Sequence, residues 1–448
     1  MLDVGNQALR LLTSFLAELD EHPVVPAPAR PGTGAITDEG TAPAEVLAET
    51  FTAASAAVET AGPRHFGFIP GGGLFTSAVA ELVARGLNRY VPGRVMAPAF
   101  AAIEQEVVDW FVKITGLPDT ASGVLTTGGS LATLSAVVAA RHDKLGDDLT
   151  RATFYLTENT NHCVAKAARI AGLPPSSARL VPTTGRLSMD AAGLRATVER
   201  DRARGERPFL VVATAGTTSS GTVDELAAIA DVAREHGLWL HIDAAYGGLF
   251  CLTQHGSALF DGLDRADSIV LDPHKGLFLP YGTGVVLARD CRTLVRGHTP
   301  ADELPPYLRD FAQSDQVRTN LVDMGPERTR EFRGLRVWFP LRVHGVHAFR
   351  TALEEKLELA RLVHEELARE PLLECPWPPE LSIVVFRLRA GDAATKDLRE
   401  RINASGQAFC SGTFLHGHYY IRICVLSFRT HLAHVRRLLD VIHAAVAG

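Results

Sequence analysis

With 448 residues, the chain is long enough for more than one hydrophobic core and should divide into domains. Hydrophobic residues make up 46% and charged residues 21%, ordinary globular values, and the net charge of -6 argues against a nucleic-acid partner. The cysteines at 163, 251, 291, 375, 410 and 424 are scattered without close Cys/His spacing. That pattern favours free thiols in a reducing cytoplasm over disulfides or a metal site. No basic stretch leads into an apolar core near Met1, and no run of about twenty apolar residues occurs, so neither a signal peptide nor a membrane span is expected.

Val4, Leu9, Leu11, Leu12, Phe15, Leu16 and Leu19, set among polar residues, predict an amphipathic helix over 4–20 that ends before Pro23 and Pro26. Its apolar stripe suits either a second subunit or its own domain. Residues 27–42, rich in Pro, Gly, Ala and Thr, read as an extended arm, and a second helix is expected over 43–60. From about residue 61 to 295, strand, loop and helix alternate. Strands are expected over 123–126, 153–156, 209–213, 239–242 and 268–271, and helices over 131–142, 161–171 and 224–236. Such alternation implies an α/β fold with a mostly parallel sheet covered on both faces. Ligands bind such sheets beyond the carboxyl ends of the strands. Gly128, Thr214, Asp243 and Lys275 all fall just past an expected strand end.

After a Pro- and charge-rich interval over 292–331, a helix containing Leu335, Val337, Trp338, Phe339 and Leu341 leads into a long one over 347–368. Strands over 382–388 and 419–426 and a last helix over 430–445 suggest a smaller α+β domain. The expected division is an N-terminal helical arm over 1–60, a large domain over 61–335 and a small C-terminal domain over 336–448.

The stretch Asp267-Ser-Ile-Val-Leu-Asp272-Pro-His274-Lys275-Gly276 is the most informative. A buried strand delivers a histidine and a lysine to a loop that returns at once to apolar residues. Apolar surroundings should lower the lysine pKa, and a neutral amine forms Schiff bases with carbonyls. By itself, a lysine at a strand tip is more often a plain surface cation. Thr126-Thr127-Gly128-Gly129-Ser130 lies where a strand gives way to a helix, so backbone N–H groups can meet an anion; Ser130 can cap the helix, donate to phosphate, or both. His162, at the start of the next helix, suits stacking on a flat ligand as well as a simple helix start. Asp243 follows a buried strand, and Ala244 and Ala245 leave room beside it. A buried carboxylate needs a partner, either a protonated heteroaromatic nitrogen or a cluster of backbone N–H groups. Thr214 ends another strand in a Gly- and Thr-rich turn.

Together, Asp243-Ala-Ala-Tyr and Asp272-Pro-His-Lys275 resemble the pyridoxal-phosphate-dependent group II amino-acid decarboxylases, which have fold type I (aspartate aminotransferase-like). The resemblance runs from the first helix to the last. It implies a large domain with a seven-stranded, mostly parallel sheet, a smaller α+β domain, and pyridoxal 5'-phosphate as cofactor. By that resemblance Lys275 carries the cofactor as a Schiff base, Asp243 pairs with the protonated pyridine nitrogen, and His162 stacks on the ring. Gly129, Ser130 and His274 hold the phosphate, while Thr214 and Ala245 line the cofactor's edge. Tyr307, within Leu304-Pro-Pro-Tyr-Leu308, corresponds to the loop tyrosine that reprotonates the substrate carbon in decarboxylases and is phenylalanine in aldehyde synthases.

The resemblance also implies a homodimer and an amino-acid substrate. Phe66, with Phe68 beside it, aligns with the substrate pocket and favours an aromatic side chain, whereas Arg94 near Ala97-Pro-Ala-Phe100 is more like the glutamate and cysteine-sulfinate decarboxylases. An aminotransferase on the same fold would instead need a small-domain arginine such as Arg422 or Arg429. Three departures stand out. Leu131 replaces a usual Glu, Asp272 replaces an Asn found in some members, and Gly276 replaces a bulky residue, which should widen the space near Lys275. The charge of Asp272 would need compensation from His274 or the sheet edge.

Overall fold

The computed structural model describes residues 2–26, 34–36, 38–299 and 320–447. Short runs of branched and aromatic residues form β1 (Ser122–Thr126), β2 (Ala152–Leu156), β3 (Ala178–Leu180), β4 (Arg207–Thr214), β5 (Trp239–Asp243), β6 (Ser268–Leu271) and β7 (Gly284–Ala288). They make one sheet in the order β1-β7-β6-β5-β4-β2-β3. β3, β2, β4, β5 and β6 run parallel, and β7 runs antiparallel to both of its neighbours. Every residue of β2, β5, β6 and β7 is buried, so side chains on both faces are covered, in keeping with their largely apolar runs.

The helix Gly129–Leu145 packs Ala132, Ala136, Val137 and Ala140 into a core with Val124, Phe154, Phe209, Val270 and Val286. Small alanines let this helix lie close to the strands. Phe154 and Phe209 meet edge to face at 6.4 Å. Fully burying a side chain of that kind contributes about 1.5–3 kcal/mol.

The chain condenses into two units, one of residues 73–354 with 379–381 and the other of residues 1–72, 355–378 and 382–448. This differs from the expected division at 60 and 335. The N-terminal 72 residues group with the C-terminal segment, and the second boundary falls inside the helix Gly334–Ala368, beyond its non-helical residue Gly345. Hydrophobic periodicity reveals that a helix has an apolar face, but not which segment covers it.

The second unit contains a four-stranded antiparallel sheet of β8 (Leu373–Glu374), β9 (Ile383–Leu388), β10 (Ser411–Leu415) and β11 (His418–Cys424), in the order β10-β11-β9-β8. Helices Asp392–Ala404 and Leu432–Ala447 supply Leu398, Ile402, Val435, Leu438 and Ile442 to its core. Phe66 is fully buried in that same core. Its amide donates to the Phe409 carbonyl and its carbonyl accepts from the Cys424 amide, both at 2.9 Å. Arg422 donates to the Phe68 carbonyl, and Arg429 to those of Ala61 and Gly72. Both arginines weighed for an aminotransferase therefore bind backbone of the 61–72 segment. Among the described residues, no helix is long and apolar enough to cross a membrane.

Candidate active site

β6 ends at Leu271, and the next residues make a single helical turn, Pro273–Gly276, with Asp272 in front of it. Proline suits the first helical position because its missing N–H would have no partner there. The turn folds Lys275 back on Asp272, and Nζ lies 2.8 Å from Oδ2. This corrects the expected pKa. Burial does pull the lysine down, but the charge and hydrogen bond of Asp272, with Asp243 behind it, outweigh burial and raise the pKa above the usual lysine value. Free Lys275 is thus an ammonium. Compensation for Asp272 comes mainly from Lys275, with His274 Nε2 at 3.8 Å.

Gly276 does not widen the site. A Cβ there would stand 2.7 Å from Cβ of Leu249, which already fills the space.

Beyond β1, Gly128 (φ 149°, ψ 176°) turns the chain into the helix Gly129–Leu145, which no side chain caps. Its first amides are therefore available to an anion. Glycine at 129 is required by a close approach, since a Cβ would lie 2.9 Å from Asp272 Oδ2. Ser130 follows in the first turn and is exposed toward the cavity it lines. His274 faces the same loop, with its Nδ1 held on the Thr283 carbonyl.

Asp243 closes β5, in register with Thr214 of β4 and Val270 of β6. It is 6% exposed, and its Oδ1 accepts from the Ala245 amide at 3.1 Å. Among the described residues it forms no ion pair. Burial raises its pKa, opposed by Lys275. Thr214 is buried beside it without lining the cavity. The Thr214 amide donates to Asp224 Oδ2 at 2.7 Å, and Asp224 Oδ1 accepts from the Met189 amide, so this pair fixes the strand end.

These groups surround a cavity of about 310 Å³, lined among others by Gly129, Ser130, Asp243, Ala245, His274 and Lys275. His162 does not line it and is exposed. Asn161 and Cys163 line it instead, because the helix begins at Cys163 rather than at 161. Asn161 Oδ1 accepts from the Cys163 amide, and its Nδ2 donates to Thr218 Oγ1, both at 2.9 Å. An Asn two residues ahead of a helix, closing an Asx turn, was the sequence signal for this placement. Burial pushes the Cys163 thiol up to about 11, so it is not a thiolate at neutral pH.

Arg94 does not line the cavity; its guanidinium donates to Gln105 Oε1 at 2.6 Å. Phe66 belongs to the core of the other unit. Tyr307 lies outside the described residues.

The donor set fits pyridoxal phosphate. An uncapped helix N-terminus and a histidine suit a phosphate, a buried carboxylate in no ion pair among the described residues suits a protonated pyridine, and a lysine stands ready for the aldehyde. Residues 35–389 match the model of the pyridoxal-dependent decarboxylase conserved domain. The chain belongs to the pyridoxal-dependent decarboxylase family. An aromatic-L-amino-acid decarboxylase of Bacillus atrophaeus is 34% identical over 82% of this chain and 78% of its own. Phenylacetaldehyde synthase of Arabidopsis thaliana is 27% identical over 85% of this chain and 81% of its own. The crystal structure of Oryza sativa TDC with PLP and tryptamine superposes with a TM-score of 0.94 at 28% identity, covering 99% of this chain and 97% of that one. This decarboxylase is a pyridoxal-phosphate-dependent carboxy-lyase of fold type I, as the two strand-end motifs implied.

Proposed function

We propose that this decarboxylase converts an aromatic L-amino acid to its amine and CO₂. The observation that carries the substrate class is the similarity to the Bacillus aromatic-L-amino-acid decarboxylase. Bound pyridoxal phosphate supplies the electron sink for the pair released when the carboxylate leaves. Lys275 anchors it through Nζ. Asp243, buried and holding the Ala245 amide on one oxygen, would keep a proton on the pyridine nitrogen. Amides of Gly129 and Ser130, the Ser130 hydroxyl and His274 Nε2 bind the phosphate. Ala245 is small enough to leave the ring uncovered, and Thr214 fixes the strand end through Asp224.

Tyr307 delivers a proton to the substrate Cα, which favours amine over the aldehyde made by synthases. His162, at the start of the helix Cys163–Ile170 between the cavity-lining Asn161 and Cys163, stacks on the ring in this reading, and Arg94 and Phe66 are assigned no contact with substrate. The enzyme works as a cytoplasmic homodimer in this reading. Exposed Leu2, Val4 and Leu9 on the first helix support a second copy, and six cysteines free of disulfides support a reducing compartment.

The test is product analysis with a panel of L-amino acids, scoring CO₂, amine, aldehyde and keto acid. Amine and CO₂ from tryptophan, tyrosine or phenylalanine, and none from glutamate, is the expected outcome. Preferential turnover of glutamate or cysteine sulfinate would refute the substrate class.

A further inference from the structure

Asp272 has no part in the contacts just assigned, yet its carboxylate is the group nearest the reactive amine. It is 2% exposed, and Oδ2 lies 2.8 Å from Lys275 Nζ. Its other oxygen, Oδ1, is buried without a hydrogen bond. Two glycines make room for it, since a Cβ on Gly129 or on Gly284 would stand 2.9 Å from one or other carboxylate oxygen. A buried carboxylate so poor in hydrogen bonds requires a cation beside it. The groups facing it are Lys275 and His274 from its own turn, Asp243 from the end of β5, and Cys163 from the helix Cys163–Ile170. Among the described residues, only Lys275 is both cationic and in contact.

We propose that Asp272 is the counter-ion that receives Lys275 as an ammonium each time the substrate displaces it, allowing the amino acid to react in its protonated form. This rests on Lys275 being the cofactor anchor. Near neutral pH an amino acid carries its amine as an ammonium. During the exchange a C–N bond forms to the substrate nitrogen and the C–N bond to Nζ breaks. Starting from a protonated Schiff base on Lys275 and a substrate ammonium, two protons move from the substrate nitrogen to Nζ. The substrate nitrogen keeps one proton, Nζ ends with three, and charge is conserved without oxidant, reductant or water. Asp272 holds the resulting ammonium and keeps it from re-attacking. Without the carboxylate, burial would pull the Lys275 pKa down and make more of the amine available to compete.

The full-length apoprotein, mixed with pyridoxal 5'-phosphate, tests this through the rate of covalent attachment. That rate is followed by the visible band and by borohydride fixation from about pH 6 to about pH 10, the span over which a lysine can lose its proton. In the wild type the rate should still be rising at about pH 10, because the free amine titrates above the ordinary lysine value. Asp272→Asn should move the midpoint down by about one unit or more and make attachment roughly tenfold faster at neutral pH. In the holoprotein the same change should slow displacement of Lys275 by methylamine roughly tenfold. Asp272→Ser serves as a second neutral variant of small volume. A wild-type rate that levels off below about pH 9, or a midpoint unmoved or raised in a folded variant, would overturn the proposal. Absence of any borohydride-fixed adduct in the wild type would instead remove the anchoring role of Lys275.

Discussion

Nδ1 of His274 lies 2.6 Å from the carbonyl oxygen of Thr283, which fixes the proton on that side of the ring. In the neutral ring Nε2 can then only accept, so it donates to phosphate only when the imidazole is a cation. Burial lowers the His274 pKa, Asp272 pulls it back up, and Lys275 lowers it again; the net direction is down. Phosphate binding through donation from Nε2 is therefore accompanied by proton uptake at His274 and weakens as pH rises. Pyridoxine 5'-phosphate, which lacks the aldehyde, isolates this from Schiff-base formation. Its affinity for the wild type should fall as pH rises from below the lowered His274 pKa, with a smaller fall in His274→Gln. At the acid end the variant should bind roughly ten- to a hundredfold more weakly, the equivalent of one charged hydrogen bond. Isothermal titration with both proteins checks this.

A methyl group at Gly284 has no place to go. It would stand 2.6 Å from the backbone of Gly128 and 2.9 Å from Asp272 Oδ1, neither of which can swing aside. Gly284→Ala should cost about 1–3 kcal/mol of stability and loosen the phosphate loop as well. Thermal denaturation with and without pyridoxal phosphate should show a lower Tm and a smaller gain from the cofactor.

Asp243→Asn keeps an acceptor for the Ala245 amide but removes the charge. Turnover should drop by at least about a hundredfold, as for other losses of an aligned electrostatic partner, while borohydride still fixes cofactor to the protein. Steady-state rates alongside mass spectrometry of the reduced adduct separate the two effects.

Acid should weaken the fold partly through His65, which is 2% exposed, lies flat against Phe409 at 5.0 Å and has Nδ1 without a hydrogen bond. Burial holds its pKa down to about 4. Because the folded pKa lies below the unfolded one, the unfolded chain binds the extra proton between these values. Stability is then complete above about pH 6.5 and is lost as pH falls toward 4. The share of His65 is about 2 kcal/mol by pH 5. Urea unfolding at pH 7 and pH 5 should show a smaller difference in His65→Phe than in the wild type.

Tyr307→Phe should shift products from amine toward aldehyde or stall turnover. Product analysis decides, and an unchanged amine yield would take Tyr307 out of the mechanism.

Much of this site could be read before any coordinates, because its key side chains sit where strands stop. Asp243 and Lys275 follow largely apolar runs, and the parallel sheet gathers such ends at one edge. What escaped depended on one turn of helix or on distant packing. The apolar flanks of Lys275 suggested a neutral amine, but the acid three residues earlier lies on the same turn and decides otherwise. The pattern put the helix start at Asn161, whereas the helix begins at Cys163, which leaves His162 at its N-cap and Asn161 lining the cavity. Phe66 read as a pocket aromatic, whereas backbone pairing with Phe409 and Cys424 seats it in a core.

The reversed direction of β7 has a consequence for protein engineering. Because β7 returns beside β6, with Leu271 opposite Val285, residues 272–283 form a tight connection between neighbouring strands rather than a crossover. A graft of Asp272–Phe278 alone into another scaffold would lack Thr283, which orients the histidine, and Gly284, which makes room for the acid. The smallest transplantable cassette is both strands with their connection, residues 268–288, and the recipient needs a glycine-led helix facing it.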